Sequence, residues 1–214
     1  MNDKTAIVSS RRGLRVAAAA ALAALTLGGC AAVVVGGAAV GTAMVVTDRR
    51  TAGVQLEDQN IELKSLTRIR ETVGERGHVN ATSYNRMVLL TGEVPSEADR
   101  CTLEQSIGKI ENVRSTVNEL AVMGPSSMTA RSNDTILTSK VKASFIDAKD
   151  LQANAVKVVT ERGVVYLMGR VTEREANRAT ELARGVPGVQ KVVKVLEILT
   201  EAELATLGSE NKKN

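Results

Sequence analysis

The sequence predicts an α+β fold of two small tandem modules, each running helix, strand, strand, helix, strand. Three observations lead to this prediction. The segment Met87–Val94 is echoed further along the chain by Val164–Val171, apolar spacing switches between helical and strand-like periods, and aromatic residues make up only 1% of the 214 residues. Because aliphatic residues and alanine must build any core, two small cores, each a three-stranded sheet packed on two helices, suit this composition better than one large core.

Residues 1–29 are typical of a signal peptide. Three arginines between residues 11 and 15 form a basic start, and the apolar stretch Val16–Leu27 follows. This stretch is too short to span a bilayer, since a membrane-spanning helix needs about 20 apolar residues. The segment Leu27-Gly28-Gly29-Cys30 resembles the lipobox of bacterial lipoproteins. That resemblance implies cleavage before Cys30 and attachment of acyl chains such as palmitate to its thiol.

Residues 30–53 contain the lipidated cysteine and an apolar, glycine-rich stretch, which we predict to be a tether near the membrane surface. Insertion as a signal anchor is the alternative, although the apolar stretch 31–46 is short for a membrane span. Ala31 follows the cysteine, where enterobacterial sorting would use Asp to retain a lipoprotein in the inner membrane. By that resemblance, we expect the protein on the periplasmic face of the outer membrane.

The first copy of the repeat is predicted to be a domain at residues 54–123. We predict a helix from Asp58 to Val73, a hairpin turning at Asn85, a helix from Ser96 to Lys109 and a last strand ending at Val122. The expected core positions of the first helix are Leu63, Leu66, Ile69 and Val73. Those of the second helix are Leu103, Ile107 and Ile110.

The second copy is predicted to be a domain at residues 131–199. Its first helix is expected to be capped by Ser132-Asn133-Asp134, and its hairpin to turn at Arg162-Gly163. Thr172 and Glu175 form a capping box for the second helix, which Gly185 ends. The core positions expected in the first helix are Leu137, Val141 and Phe145. Residues 124–130 are predicted to be a linker, and residues 200–214 a polar tail that frays.

The second copy has an apolar strand ending at Gly169, Val171 two residues on, a helix, and then Val186-Pro187-Gly188-Val189 before a valine-rich strand. This pattern resembles the BON domain. The first copy departs from it, with Glu111-Asn112 in place of Pro-Gly. Two such domains behind a lipobox resemble the dual-BON outer-membrane lipoproteins of Gram-negative bacteria. The resemblance implies an αββαβ fold for each module, binding of anionic phospholipid, and a role in keeping the outer membrane intact.

Charge distinguishes the two copies. Residues 54–123 carry 8 Lys and Arg against 11 Asp and Glu, a net of −3, whereas residues 131–199 carry 12 against 8, a net of +4. Because basic residues gain free energy beside an anionic membrane, we predict that the second copy binds phospholipid. Its first helix places exposed aliphatic residues beside lysines. The predicted phospholipid-binding residues are Ile136, Lys140, Lys142, Ala143, Ile146 and Lys149.

The sequence favours a binding protein over an enzyme, because no nucleophile and base can be paired. His78 is the only histidine and has no Cys or acidic residue at ligand spacing, so we expect no metal site and no cofactor. Cys101 is expected to be exposed. A net charge of +4 without stacking aromatics gives no reason to expect nucleic acid. The alternative function is a protein-binding adaptor, with the first copy docking outer-membrane assembly, cell-wall remodelling or division-site envelope proteins.

Overall fold

The computed structural model describes residues 48–210, with side chains as far as residue 207. The predicted signal peptide, Cys30, the predicted tether up to residue 47, and residues 211–214 lie outside the described residues. Within the described part of the chain, no helix combines the length and apolar content that a membrane crossing requires.

Two modules with the same order of elements follow one another, which confirms the predicted fold class. The first consists of α1 (Ala52–Thr72), a 3-10 turn (Gly74–Arg76), β1 (His78–Tyr84), β2 (Met87–Val94), α2 (Glu97–Gly108) and β3 (Ser115–Val122). The second consists of α3 (Met128–Asp147), a 3-10 turn (Ala153–Ala155), β4 (Val156–Glu161), β5 (Val164–Thr172), α4 (Glu173–Arg184) and β6 (Lys191–Leu199). A last helix, α5 (Glu201–Glu210), forms where a fraying tail was predicted. That prediction was wrong for these residues, because Thr200 and Glu203 cap the first turn through reciprocal hydrogen bonds.

Each module has one three-stranded sheet with its hairpin at one side. The strand orders are β1-β2-β3 and β4-β5-β6. In both sheets the first pair of strands is antiparallel and the second pair is parallel. Because a hairpin cannot join parallel neighbours, α2 and α4 cross over the sheet to connect them. The predicted core positions of α2 and α3 are buried, as is the capping box of Thr172 and Glu175 at the start of α4.

A helix carboxylate holds the hairpin turn in each module. Asn85 and Arg86 have φ values of 51° and 65°, as a type I′ turn requires. Asp58 on α1 accepts hydrogen bonds from both turn amides, at 2.8 Å each. In the second module Asp134 on α3 accepts from the turn amides of Arg162 and Gly163 at 2.8 and 2.9 Å. This contact fixes each first helix against its hairpin.

Both first helices begin earlier than predicted. α1 begins at Ala52, inside the predicted tether, with Thr51 as its N-cap. α3 begins at Met128, inside the predicted linker, where the Ser127 hydroxyl accepts a hydrogen bond from the helix backbone. The predicted cap, Ser132-Asn133-Asp134, was wrong because the Asp134 carboxylate binds the hairpin turn instead of the helix end.

The core positions predicted for α1 were half wrong. Leu63 and Leu66 are 63% and 43% exposed, whereas Ile61 and Ser65 are fully buried beside Ile69. The Ser65 hydroxyl donates a hydrogen bond to the Ile61 carbonyl at 2.7 Å, which allows a polar residue to lie in the core. Because Ser65 is polar but lies on the buried face, a prediction from hydrophobic spacing assigned the wrong face of the helix to the core.

The two sheets pack against each other through the faces that their own helices leave uncovered. Tyr84 and Leu89 of the first module form one buried cluster with Tyr166, Met168 and Val195 of the second. Alternate residues of the middle strands belong to the cores of their own modules. The described residues therefore form four layers, in the order helices, sheet, sheet, helices, and the middle strands are buried on both faces.

Two arginines ahead of α1 attach this part of the predicted tether to both modules. Arg49 is 7% exposed and donates from its two Nη atoms to the two carboxylate oxygens of Glu175, at 2.8 and 2.7 Å. Arg50 donates to Asp58 at 2.8 Å and lies 4.1 Å above the centre of the Tyr84 ring. The chain is thus fixed across the junction of the modules before α1 begins.

The backbone of a neighbouring chain segment approaches Gly169 so closely that a side chain at this position should destabilise the fold. A Cβ atom at this residue would approach the carbonyl oxygen of Ala155, on the neighbouring chain segment, more closely than van der Waals contact allows. We expect Gly169→Ala to lower the free energy of unfolding by about 2 kcal/mol, because a backbone atom cannot move away cheaply. Chemical denaturation measures the change. Gly124→Ala is the control, since no atom lies within 4 Å there; equal losses for both variants would contradict the close approach.

The ion pair of Glu175 with Arg49 should make the stability of the fold depend on pH. Burial would raise the pKa of its carboxyl, but hydrogen bonds from the Arg49 side chain and the Thr172 backbone bring it below the ordinary 4.5. A lowered folded-state pKa means that the stabilisation is present above the ordinary pKa and is lost as the pH falls through the folded-state value. We expect Glu175→Gln to cost about 3 kcal/mol at neutral pH. Denaturation across acid pH should show the gap to wild type closing, and a constant gap would contradict the Arg49 contact.

Candidate functional site

All six residues predicted to bind phospholipid lie on or just after α3 and are exposed. Ile136 is 54% exposed and Ile146 is 72% exposed, which is high for large aliphatic side chains. The opposite face of the helix is fixed in the core of the second module by Leu137, Val141 and Phe145. The helix therefore presents this polar and apolar mixture to solvent on a rigid support.

The six residues form two separate rows, five of them on α3 itself and Lys149 two residues after its end. At about 100° of rotation per residue, the two rows point about 120° apart. The rows are Ile136, Lys140 and Ala143 (row one) and Lys142, Ile146 and Lys149 (row two). Each combines aliphatic or small side chains with lysine. A flat surface can approach one row closely without meeting the other in the same way.

Row one lies between two shallow grooves, formed where α3 faces the turn between α4 and β6. One groove, of about 490 Å³, is bordered by Ile136, Lys140, Pro187 and Gly188. The other, of about 640 Å³, is bordered by Lys140, Ala143 and Pro187. Lys140 and Pro187 border both grooves. The Pro-Gly turn, one of the features that resemble the BON domain, therefore forms part of the wall beside row one.

Part of the charge difference between the modules is neutralised by ion pairs where the modules meet. Lys157 lies 3.0 Å from Glu62, and Arg162 lies 3.8 Å from Glu93, so two basic residues of the second module face carboxylates of the first. The three lysines of the two rows have no ion-pair partner among the described residues. Other basic residues of the same module are likewise exposed without an ion-pair partner among the described residues, namely Arg184, Lys191 and Lys194. The exposed face of α3 therefore carries part of the positive charge that the second module offers to an external anion.

A group of titratable side chains lies where the modules meet. The Nδ1 atom of His78 is 3.5 Å from Oε2 of Glu93 and 3.9 Å from Oε1 of Glu161. Glu93 is fully buried and Glu161 is 5% exposed. Asn80 donates to Glu161 at 3.1 Å, and the Ser126 amide donates to Glu93 at 3.0 Å. An imidazole and two carboxylates with ligand atoms within 4.8 Å of one another can hold a metal ion.

Burial shifts the pKa values of this group. It lowers the pKa of His78, as does the charge of Arg131, against the opposing effect of Glu93, which favours the neutral imidazole. Burial also raises the pKa of Glu161, and the nearby charge of Glu93 acts in the same direction. Sequence spacing did not indicate Glu161 as a neighbour of His78. Glu161 belongs to the second module and reaches His78 only because the two sheets pack together. The one available signal was Glu93, the only charged residue of the mainly apolar strand β2.

Each module matches a family model for the BON domain, the first over residues 57–124 and the second over residues 133–200. The chain is 40% identical over 180 residues to the outer membrane lipoprotein DolP of Haemophilus influenzae, covering 83% of this chain and 92% of that protein. It is 30% identical over 151 residues to the 21 kDa hemolysin of Actinobacillus pleuropneumoniae, covering 70% and 78%.

Among solved structures, CdsD, a structural protein of the type III secretion system of Chlamydia trachomatis, aligns with 68% of this chain and 95% of its own. The TM-score is 0.29 and the sequence identity is 11%.

Proposed function

Since this chain belongs to the BON-domain family, with two domains in tandem, we propose that it is an outer-membrane lipoprotein that binds anionic phospholipid through its second domain. It is attached through Cys30 to the periplasmic face of the outer membrane. By binding phospholipid beside its anchor, it supports the integrity of that membrane. The lipobox and the similarity to an outer membrane lipoprotein support the location.

The observation that carries the lipid-binding proposal is the exposed face of α3. Large aliphatic side chains at Ile136 and Ile146 stand beside lysines that have no ion-pair partner among the residues described. Aliphatic residues enter the headgroup region while lysines remain near the phosphates, so the two kinds of side chain act together. Each well-placed lysine contributes about 1 kcal/mol at an anionic surface.

Vesicle binding tests this proposal. The chain without its acyl anchor, residues 31–214, is mixed with phosphatidylglycerol or phosphatidylcholine vesicles, and the bound fraction is measured by flotation. We expect binding to the anionic vesicles alone. Lys140→Glu should weaken it about tenfold, because one attractive charge becomes a repulsive one. Lys142→Glu makes the same change in row two and shows which row meets the membrane.

Lys109→Glu in the first domain is the matched control, with the same change in net charge at an exposed residue outside α3. It should bind as wild type does. If all three substitutions weaken binding equally, net charge alone governs binding and α3 has no special role. If the wild-type chain ignores both kinds of vesicle, lipid binding by the second domain is wrong.

A protein-binding adaptor is the second candidate, favoured by α1 of the first domain. Leu56, Leu63 and Leu66 are 59%, 63% and 43% exposed and lie within about 80° of one another around the helix axis, so α1 presents an apolar surface to solvent. The first domain has a net charge of −3 over residues 54–123, which disfavours an anionic membrane as the partner of this surface. An envelope protein with an apolar and basic surface would fit it.

Photocrosslinking in cells distinguishes the two functions. A crosslinking residue is introduced at Leu63 in one variant and at Ile136 in another, and the products are separated by mass. The adaptor function predicts one dominant protein adduct from Leu63 that persists in Lys140→Glu. If both positions yield lipid adducts alone, the first domain has no protein partner at this surface.

A further inference from the structure

The junction group of His78, Glu93 and Glu161 has the geometry of a cation site. Two ligand atoms bound to one ion at about 2.1 Å can be at most about 4.2 Å apart. The two distances from Nδ1 of His78, 3.5 Å to Glu93 and 3.9 Å to Glu161, fall within that limit. All three ligand atoms lie within 4.8 Å of one another, so a small rotation of one carboxylate completes the set.

Hydrogen bonding at the junction gives independent support. Nδ1 of His78 is buried, and its contact with Oε2 of Glu93, at 3.5 Å, is long for a hydrogen bond. Oε1 of Glu93, on the side of Arg162, is buried without a hydrogen-bond partner among the described residues. Buried polar atoms are normally satisfied, and a buried carboxylate with an unsatisfied oxygen is costly. The Glu93 side chain is fully buried and directed at this group, so its charge must be balanced locally.

The surrounding protein charges leave part of this need unmet. Nε of Arg162 is 3.8 Å from Oε1 of Glu93, beyond hydrogen-bonding distance, and is itself a buried atom without a hydrogen-bond partner in the described chain. Arg131 faces His78 and Asp134 faces Glu161, with opposite charges. The Ser126 amide donates to Oε2 of Glu93, the oxygen measured toward His78. Asn80 donates to Oε2 of Glu161, which leaves Oε1 of Glu161 toward His78. Such hydrogen bonds orient carboxylates around a metal ion.

We propose that His78, Glu93 and Glu161 form a binding site for a divalent transition metal ion, with Zn²⁺ as the best fit, at the junction of the two BON domains. An imidazole with carboxylates suits Zn²⁺ better than Ca²⁺ or Mg²⁺, which take oxygen ligands. Two ligands come from the first domain and one from the second. The bound ion therefore joins the domains and stabilises their packing.

The only histidine of the chain makes the test direct, because its imidazole NMR signals report on this site alone. The full mature chain is purified without a histidine tag, treated with a chelator and titrated with ZnCl₂. We expect one ion per chain, a shift of the His78 imidazole signals, and a raised melting temperature. Glu161→Gln should weaken Zn²⁺ binding at least tenfold.

Glu62→Gln is the matched control, because Glu62 also lies at the junction but pairs with Lys157 at 3.0 Å, outside the group. It should bind Zn²⁺ as wild type does. Unchanged imidazole signals in wild type would overturn the proposal. So would a shift that persists undiminished in Glu161→Gln, since His78 would then bind the ion without the second domain. Amide spectra of each variant verify that it is folded.

Discussion

The packing of sheet against sheet is the contact on which the rest of the molecule depends. It buries β2 and β5 on both faces and uses both tyrosines of the chain, Tyr84 and Tyr166, in one shared cluster. Each module is small and builds its own core almost wholly from aliphatic residues, which limits the free energy that either can gain alone. Joining the two sheets adds a third cluster and leaves one helical layer of each module facing outward.

The same packing explains where the two copies of the repeat differ. Glu93 and Arg170 occupy equivalent positions in the two copies, yet their partners are unlike. Glu93 lies near His78 and Arg162, whereas Arg170 lies 3.3 Å from Glu197, which also accepts a hydrogen bond from Asn85. Residues of β2 and β5 directed at the helices stay apolar in both copies. The junction face has changed at Glu93 and Arg170, although Val117 and Val193 are alike. The junction therefore requires two different surfaces, although the modules share one fold.

Much of the fold could be predicted from the sequence, because its signals are local. The repeat, the hairpin turns and the apolar rows of α2 and α3 each lie within a few residues. Some errors were local, such as the buried Ser65 within α1, while others concern residues whose partners are distant in sequence. Asp134 has the sequence pattern of a helix cap, but its contact with the hairpin turn spans 28 residues. Arg49 carried no signal, since Glu175 is 126 residues away. The exposed residues of α3 were predictable, whereas the junction group required the packing of the sheets.

Residual dipolar couplings of backbone amides test the shared packing most directly. The chain without its acyl anchor is weakly aligned, and couplings from β1–β3 and from β4–β6 are fitted separately. The structure predicts one alignment tensor for both sheets, with the same orientation and magnitude, because the modules form a single body. Two different tensors would mean that the modules move independently, and the layered arrangement and the junction group would then be wrong.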